Sequence, residues 1–447
     1  MSNGLPRCPA RFTDVRRIFI FVGALLVAAG VANVAIFDWT SEATAGKPYD
    51  FDLNWVAAQR LVDREPLYDR AASKSDGLRL VGPEMQDTNL GPFSSYIGLP
   101  STALLYAPFT PFDAGTAADL FRLVDVLAIL AALAIALLAL PPPSRLPAGL
   151  VTVGVMLLST SVNKSIWLGQ VDGFLMLGLA VAFFGVARGY WRLVGVGVAI
   201  AALLKFSPIL LLVYLALRGK WRAVWSAVTT VVVILGVAAV IGRPGDLFDW
   251  FHHIGGSVSQ GARNTDNQAL PAVLARLFTH SNDLLAQVPL GGWRAVSYLV
   301  AAVGVGGLWW VRRHHAVEPL DLGVLVLVAL LAGPITWDHY TAWSLLVIVL
   351  VVDPTRWAGR SWLEIALLAA PLAVAGWIMR TWTTYPLPPQ VAAHWYLHAT
   401  SSIKSVAMLL LLGVALWLLL RPAPAATDSP DELAELPDAR VPLPAEG

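Results

Sequence analysis

Charge and cysteine are what this sequence has least of. Asp, Glu, Lys and Arg make up 14% of its 447 residues, against about 25% in an ordinary soluble domain, which argues against a water-soluble globule. The single cysteine, Cys8, excludes an intrachain disulfide and any multi-cysteine metal centre. A net charge of +1 offers no basic footprint, so no nucleic-acid partner is expected. There is no Walker loop, no HExxH pair and no Gly-x-Ser-x-Gly elbow. No soluble stretch is large enough to house a nucleotide-sugar fold, and no cleavable signal is visible. Ile18 to Ala35 follows a basic start but is long and lacks a clear small-residue cleavage site, so it reads as a retained first span.

What the sequence does have is apolar length. It is 57% hydrophobic, with a mean hydropathy of +0.64. Apolar runs fall near 17–37, 117–140, 148–163, 170–187, 193–204, 207–217, 223–241, 291–312, 317–333, 337–352, 361–380 and 403–420. Many reach the roughly 20 residues that cross a bilayer as a helix. The expected fold is an all-α polytopic membrane protein with about twelve spans.

Basic residues set the orientation, because short cytoplasmic loops collect Lys and Arg. RGYWR at 188–192 and RGKWR at 218–222 flank the run 193–217. A hairpin of two short spans around Lys205 and Pro208 puts both clusters inside, whereas one long span would put one outside. With Arg11, Arg16 and Arg17, PPPSR at 141–145, RRHH at 312–315 and TRWAGR at 355–360 also inside, both termini are cytoplasmic. The division is then a cytoplasmic N-terminus at 1–16, one membrane domain at 17–420 with a first outer loop at 38–116, and a disordered Pro-, Ala- and acid-rich tail at 421–447. Within the first loop, 95–112 is apolar but broken by proline and reads as an interfacial helix.

Most polar residues that are not basic anchors then gather on the outer side. Asp50 and Asp52 follow the first span, where a carboxylate is costly to desolvate and often functional. Asp52 suits the N-cap of a helix through NWVAAQRLV, which leaves Asp50 for chemistry. His339, between Trp337 and Tyr340 in GPITWDHY, is an interfacial anchor or a catalytic group. Gln170 and Asp172 in LGQVDG offer the donors and acceptors that sugar hydroxyls need. Lys205 is either a snorkelling lysine or a fixed cation for a phosphate. Asn267 and Gln268, in RNTDNQAL, belong to a solvated loop or a carbohydrate-facing one. A carboxylate, amides, a cation and aromatics within lipid reach suit a sugar donor linked to a lipid phosphate. No metal cluster and no cofactor is expected.

These residues resemble a known group. DFDLNWVAAQRLVDREPLYD is similar to the first-loop signature of family-87 glycosyltransferases, a branch of the GT-C superfamily. LGQVDG resembles a Gly-Gln-x-Asn element, ALLKFSPILLL a Lys-Phe-x-Pro element, DNQAL an Asn-Gln element, and GPITWDHY a Pro-Ile-Ser-Trp-x-His-His element. They occur in order over roughly 15–420, and it is their succession that is specific. Two departures stand out: the chain reads YIGLPST where Tyr-Pro-Pro is frequent, and Asp172 stands where Asn is common.

The resemblance implies a GT-C fold whose outer first loop carries juxtamembrane helices. It also implies a multi-pass cell-membrane enzyme, active on the extracytoplasmic face, that moves a sugar, mannose first, from a polyprenyl phosphate to a lipid or cell-envelope glycan. Asp50 falls at the position of the general base, with inversion at the anomeric carbon; His339 falls in the second-histidine region, where Tyr340 replaces a further His. Lys205 and His339 would then face the donor phosphate, with Gln170, Asp172, Asn267, Gln268, Trp337, Tyr340 and Asp52 lining the substrates. Three alternatives remain: an arabinofuranosyltransferase of the same family, a scaffold subunit of a wall-synthesis complex whose site has decayed, and a transporter or flippase of lipid-linked sugars. The last predicts inverted repeats and ionisable groups at the bilayer midplane.

Overall fold

The apolar runs fold as helices, as chains deprived of water must, since each backbone amide then finds its partner within its own segment. The structure is a computed structural model and describes residues 11–36, 49–82, 96–279, 289–381 and 402–421. The expected disorder of the tail and most of 381–402 lie outside the described residues. The chain begins with α1 (Phe12–Ile36), α2 (Tyr49–Val62), α3 (Arg70–Leu80), α4 (Pro100–Tyr106) and α5 (Ala114–Leu138). Next come α6 (Pro142–Leu158), α7 (Thr160–Leu168), α8 (Asp172–Arg188), α9 (Trp191–Leu204), α10 (Ile209–Leu217) and α11 (Trp221–Ile241). The remainder forms α12 (Asp246–Asp249), α13 (Gly255–Ser259), α14 (Leu270–Thr279), α15 (Arg294–Arg312), α16 (Pro319–Ala332), α17 (Ser344–Val351), α18 (Trp362–Thr381) and α19 (Ile403–Leu420). No strand occurs among the described residues; one isolated bridge pairs Asn267 with Trp337.

Five of these helices are long and apolar enough to cross a membrane: α1, α5, α11, α15 with its preceding turn, and α19. The pair α6 and α7, bent by 63°, makes a sixth if it counts as one span. The protein is therefore an all-α membrane protein. Other apolar runs form shorter helices, among them α9 and α16.

Two local expectations change, and the expected break between 193 and 217 is present. The run 148–163 is broken: Ser159 leaves the helix at an extended φ/ψ and caps α7, its hydroxyl accepting from the Val162 amide at 3.4 Å. The run 193–217 divides at Lys205–Pro208 into α9 and α10, because proline cannot donate into a continuing helix. Asp52 is not an N-cap. The helix starts at Tyr49, three residues earlier, which places Asp52 inside the first turn and buries it.

Small residues bring the helices close, as apolar surroundings require. A Cβ on Gly197 of α9 would lie 2.3 Å from the Gly178 carbonyl of α8, and one on Gly195 would lie 2.0 Å from the Ala223 carbonyl of α11. The main core runs through α5, α8, α16, α17 and α19, and Phe183, together with Tyr214 of α10, Trp343 and Trp357, is fully buried in it.

Candidate active site

Gly169 ends α7 in the left-handed region at φ +63°, where a side chain would be strained. A Cβ there would also meet the Phe51 Cβ at 2.7 Å. Glycine thus lets α2 lie directly on the α7–α8 turn. The contact is fixed from several sides. Tyr106 of α4 donates to the Gly169 carbonyl at 2.7 Å, and Trp55 and Gln59 of α2 donate to the Phe109 and Thr110 carbonyls. Phe51 packs on Tyr106 and Phe121.

The outcome is a short polar chain at the start of α2. Asp50 Oδ2 accepts from Gln170 Nε2 at 2.7 Å, and Gln170 Oε1 accepts from Lys205 Nζ at 3.1 Å. Lys205 Nζ also donates to the Tyr340 hydroxyl at 2.6 Å. One amide therefore joins a carboxylate to an ammonium. Burial raises the Asp50 pKa above the usual carboxylate value, a shift that the Gln170 hydrogen bond and the Lys205 charge oppose. Burial draws the Lys205 ammonium down to about 8, against the pull of Asp172 and Asp50.

Behind this chain lies a second layer. Asp172 is fully buried at the start of α8 and accepts from Ser165 Oγ at 2.7 Å and Trp343 Nε1 at 2.8 Å. Trp343 stacks on Tyr340, which His339 meets edge-on at 4.8 Å. His339 Nε2 lies 4.0 Å from Asp172 Oδ2. His339 is buried, and neither of its ring nitrogens has a hydrogen-bond partner among the described residues.

The structure therefore gathers Asp50, Gln170, Asp172, Lys205, His339 and Tyr340 from four separate motifs. Asn267 and Gln268 sit differently, buried beneath the turn that presents His339. Asn267 Nδ2 donates to the Ala262 and Pro334 carbonyls, and its Oδ1 accepts from the Thr336 amide at 2.8 Å. The Gln268 amide donates to the Thr336 carbonyl at 2.6 Å, its side chain to the Thr265 carbonyl. Both residues brace the 333–340 segment, and the half-buried Trp337 pairs with Asn267 through its backbone. Asp52 points away from Asp50, as two positions on a helix do.

Two lysines escaped the sequence reading. Lys404, fully buried near the start of α19, is ion-paired with Asp338 and donates to Ser161 at 2.8 Å and Thr160 at 3.1 Å. Lys164 lies 3.3 Å from Asp266 and 3.6 Å from Asp338. Alternating charges thus hold the His339 turn to α7, to the 261–269 loop and to α19. Asp125 was missed as well: buried within α5, it accepts from the Gly173 amide at 3.0 Å. It stands eleven residues from the start of α5, so it holds the beginning of α8 about 16 Å along that helix. A carboxylate within an apolar run was the available signal.

This site can take a proton on Asp50 while holding an anion near Lys205 and His339. The sequence matches the family model of glycosyltransferase family 87 over residues 96–335. It is similar to a Mycobacterium tuberculosis polyprenol-phosphate-mannose-dependent alpha-(1-2)-phosphatidylinositol mannoside mannosyltransferase, 28% identical over 362 residues, which cover 77% of this chain and 78% of that protein. A polyprenol-phosphate-mannose-dependent alpha-(1-2)-phosphatidylinositol pentamannoside mannosyltransferase from the same species is 23% identical over 70% of this chain and 71% of its own length. A protein of that description from Mycolicibacterium smegmatis is 28% identical over 55% and 58%.

Proposed function

The chain belongs to glycosyltransferase family 87, and from that membership we propose that it transfers mannose from a polyprenyl phosphate to a hydroxyl of a mannosylated phosphatidylinositol or related envelope lipid. The relatives' names support the donor and the acceptor class. The observation that carries the chemistry is the Asp50–Gln170–Lys205 chain. It places a base and a cation on either side of one amide.

In this reading the acceptor oxygen attacks the anomeric carbon while the bond from that carbon to the donor phosphate oxygen breaks. The electron pair leaves with the phosphate, and the acceptor proton passes to Asp50. A single displacement inverts the anomeric centre. Lys205 stabilises the phosphate leaving group, and His339, whose ring nitrogens are uncommitted, donates to it or positions it. Gln170 keeps Asp50 charged and aimed, and Asp172 holds the Trp343–Tyr340 stack behind Lys205.

The basic clusters at 188–192, 218–222, 312–315 and 355–360 support an orientation with those loops in the cytoplasm and the site on the extracytoplasmic face. The twelve-span topology, with α2, α3 and α4 in an outer first loop, belongs to the same proposal.

Asp50→Asn tests the assignment. The amide keeps the shape and loses the base, so transfer from polyprenyl-phosphate mannose should fall about 10²- to 10⁴-fold with thermal stability unchanged. Retention of the wild-type rate would remove Asp50 from the mechanism.

A further inference from the structure

The basic end of the bundle contains a cavity of about 660 Å³ that the chemistry above does not use. It opens where α9 and α11 begin, and Tyr190, Trp191, Arg192, Leu193 and Arg222 line it. Lys220 adds a third cation at its edge, its Nζ 4.2 Å from the centre of the Trp191 ring.

Arginines are common at such helix ends, but those around this cavity differ from their neighbours. Arg145 donates to the Leu140 carbonyl. Arg218 donates to the Tyr214 hydroxyl and the His315 carbonyl, and Arg313 to the Trp310 carbonyl. Arg192 and Arg222 are exposed and their guanidinium groups make no hydrogen bond or ion pair among the described residues. Nor does their stretch of chain contain a carboxylate, since no Asp or Glu occurs between Asp172 and Asp246. The surroundings are those of a headgroup boundary: Tyr190, Trp221 and Trp225 are exposed beside it, as interfacial aromatics are.

We infer that this cavity binds the headgroup phosphate of an anionic glycerophospholipid. Arg192 and Arg222 take the phosphate oxygens with the fork geometry that guanidinium groups offer, and the apolar wall of Trp191 and Leu193 receives the glycerol and upper acyl carbons. Basic pockets between membrane helices recognise lipid headgroups in this way. The site lies at the end of α9 opposite Lys205, so it is separate from the transfer chemistry. Which leaflet supplies the lipid follows from the orientation proposed above; the binding chemistry does not.

The test uses the purified full-length protein in detergent and native mass spectrometry with palmitoyl-oleoyl phosphatidylglycerol or phosphatidylcholine as probes. The wild type should retain phosphatidylglycerol in preference to phosphatidylcholine. Arg192→Gln with Arg222→Gln should weaken that retention about tenfold or more. Arg145→Gln with Arg313→Gln removes the same charge from the same end of the bundle and should leave retention intact. Melting temperatures of both variants check the fold. Equal loss in the two double variants would mean diffuse attraction to surface charge and would overturn the site. Displacement of the lipid by millimolar inorganic phosphate would overturn it too, in favour of a free-anion site.

Discussion

The two ends of α16, about 20 Å apart by helix rise, hold buried charges in contrasting ways. At its start, Arg312 bonds Asp321 at 3.0 Å and Glu318 at 2.8 Å, and Arg356 bonds the other Glu318 oxygen at 3.1 Å. Glu318 and Asp321 also form the capping box of α16. Carboxylates meet guanidinium groups directly, and the cluster is closed. Beyond the end of α16, Asp50 meets Lys205 only through an amide, Lys205 shares a tyrosine hydroxyl, and the His339 nitrogens are left over. Closed charge fixes a fold, whereas charge held through exchangeable partners remains available to a substrate. In the proposed function, this contrast is what leaves the cluster around Asp50 and Lys205, and not the one around Arg312, open to a substrate.

Arg312→Met probes the closed end and should give the largest effect on stability. It leaves Asp321 buried without its cation, which costs about 3–5 kcal/mol. Thermal or denaturant unfolding in detergent would measure the loss, and the turnover of the protein that remains folded should stay near wild type. A selective loss of turnover with unchanged stability would erase the distinction between the two ends.

Lys205→Gln probes the open end. A snorkelling lysine tolerates glutamine, because its stem supplies the packing. A phosphate-binding lysine does not: a charge-assisted bond is worth roughly 1.5–3 kcal/mol, or about ten- to a hundredfold in use of the polyprenyl-phosphate donor. Steady-state kinetics should show the loss in donor KM or in turnover, with acceptor KM changed far less. Equal losses for donor and acceptor would instead indicate a damaged fold.

Much of this open cluster was legible in the sequence because its members sit in short motifs with polar residues at apolar boundaries. Asp50, Gln170, Lys205 and His339 each stood out that way, and the structure brings them together. Less visible was what fixes them. Lys404 opens an apolar run and looks like an interfacial anchor, although it is fully buried against Asp338. Nothing within DNQAL says that Asn267 will turn its side chain to the Pro334 and Thr336 backbone, because that contact spans about seventy residues of chain. The start of α2 was misplaced for a local reason: Asp52 is a good capping residue, but the packing of Phe51 on Gly169, Tyr106 and Phe121 extends the helix to Tyr49. Tertiary contact outweighed capping preference.

The smallest effect gives the most direct test. Burial raises the Asp50 pKa and the Gln170 amide holds it down. Only the ionised carboxylate can accept a proton, so transfer should fall as pH drops through that raised pKa. Gln170→Leu removes the amide and favours the protonated form, which should move the acid limb of kcat/KM for the acceptor upward by about one pH unit. A limb that shifts up in Gln170→Leu, and whose residual activity in Asp50→Asn shows no such limb, is the result expected for Asp50 as the base. An acid limb unchanged in both variants would contradict it.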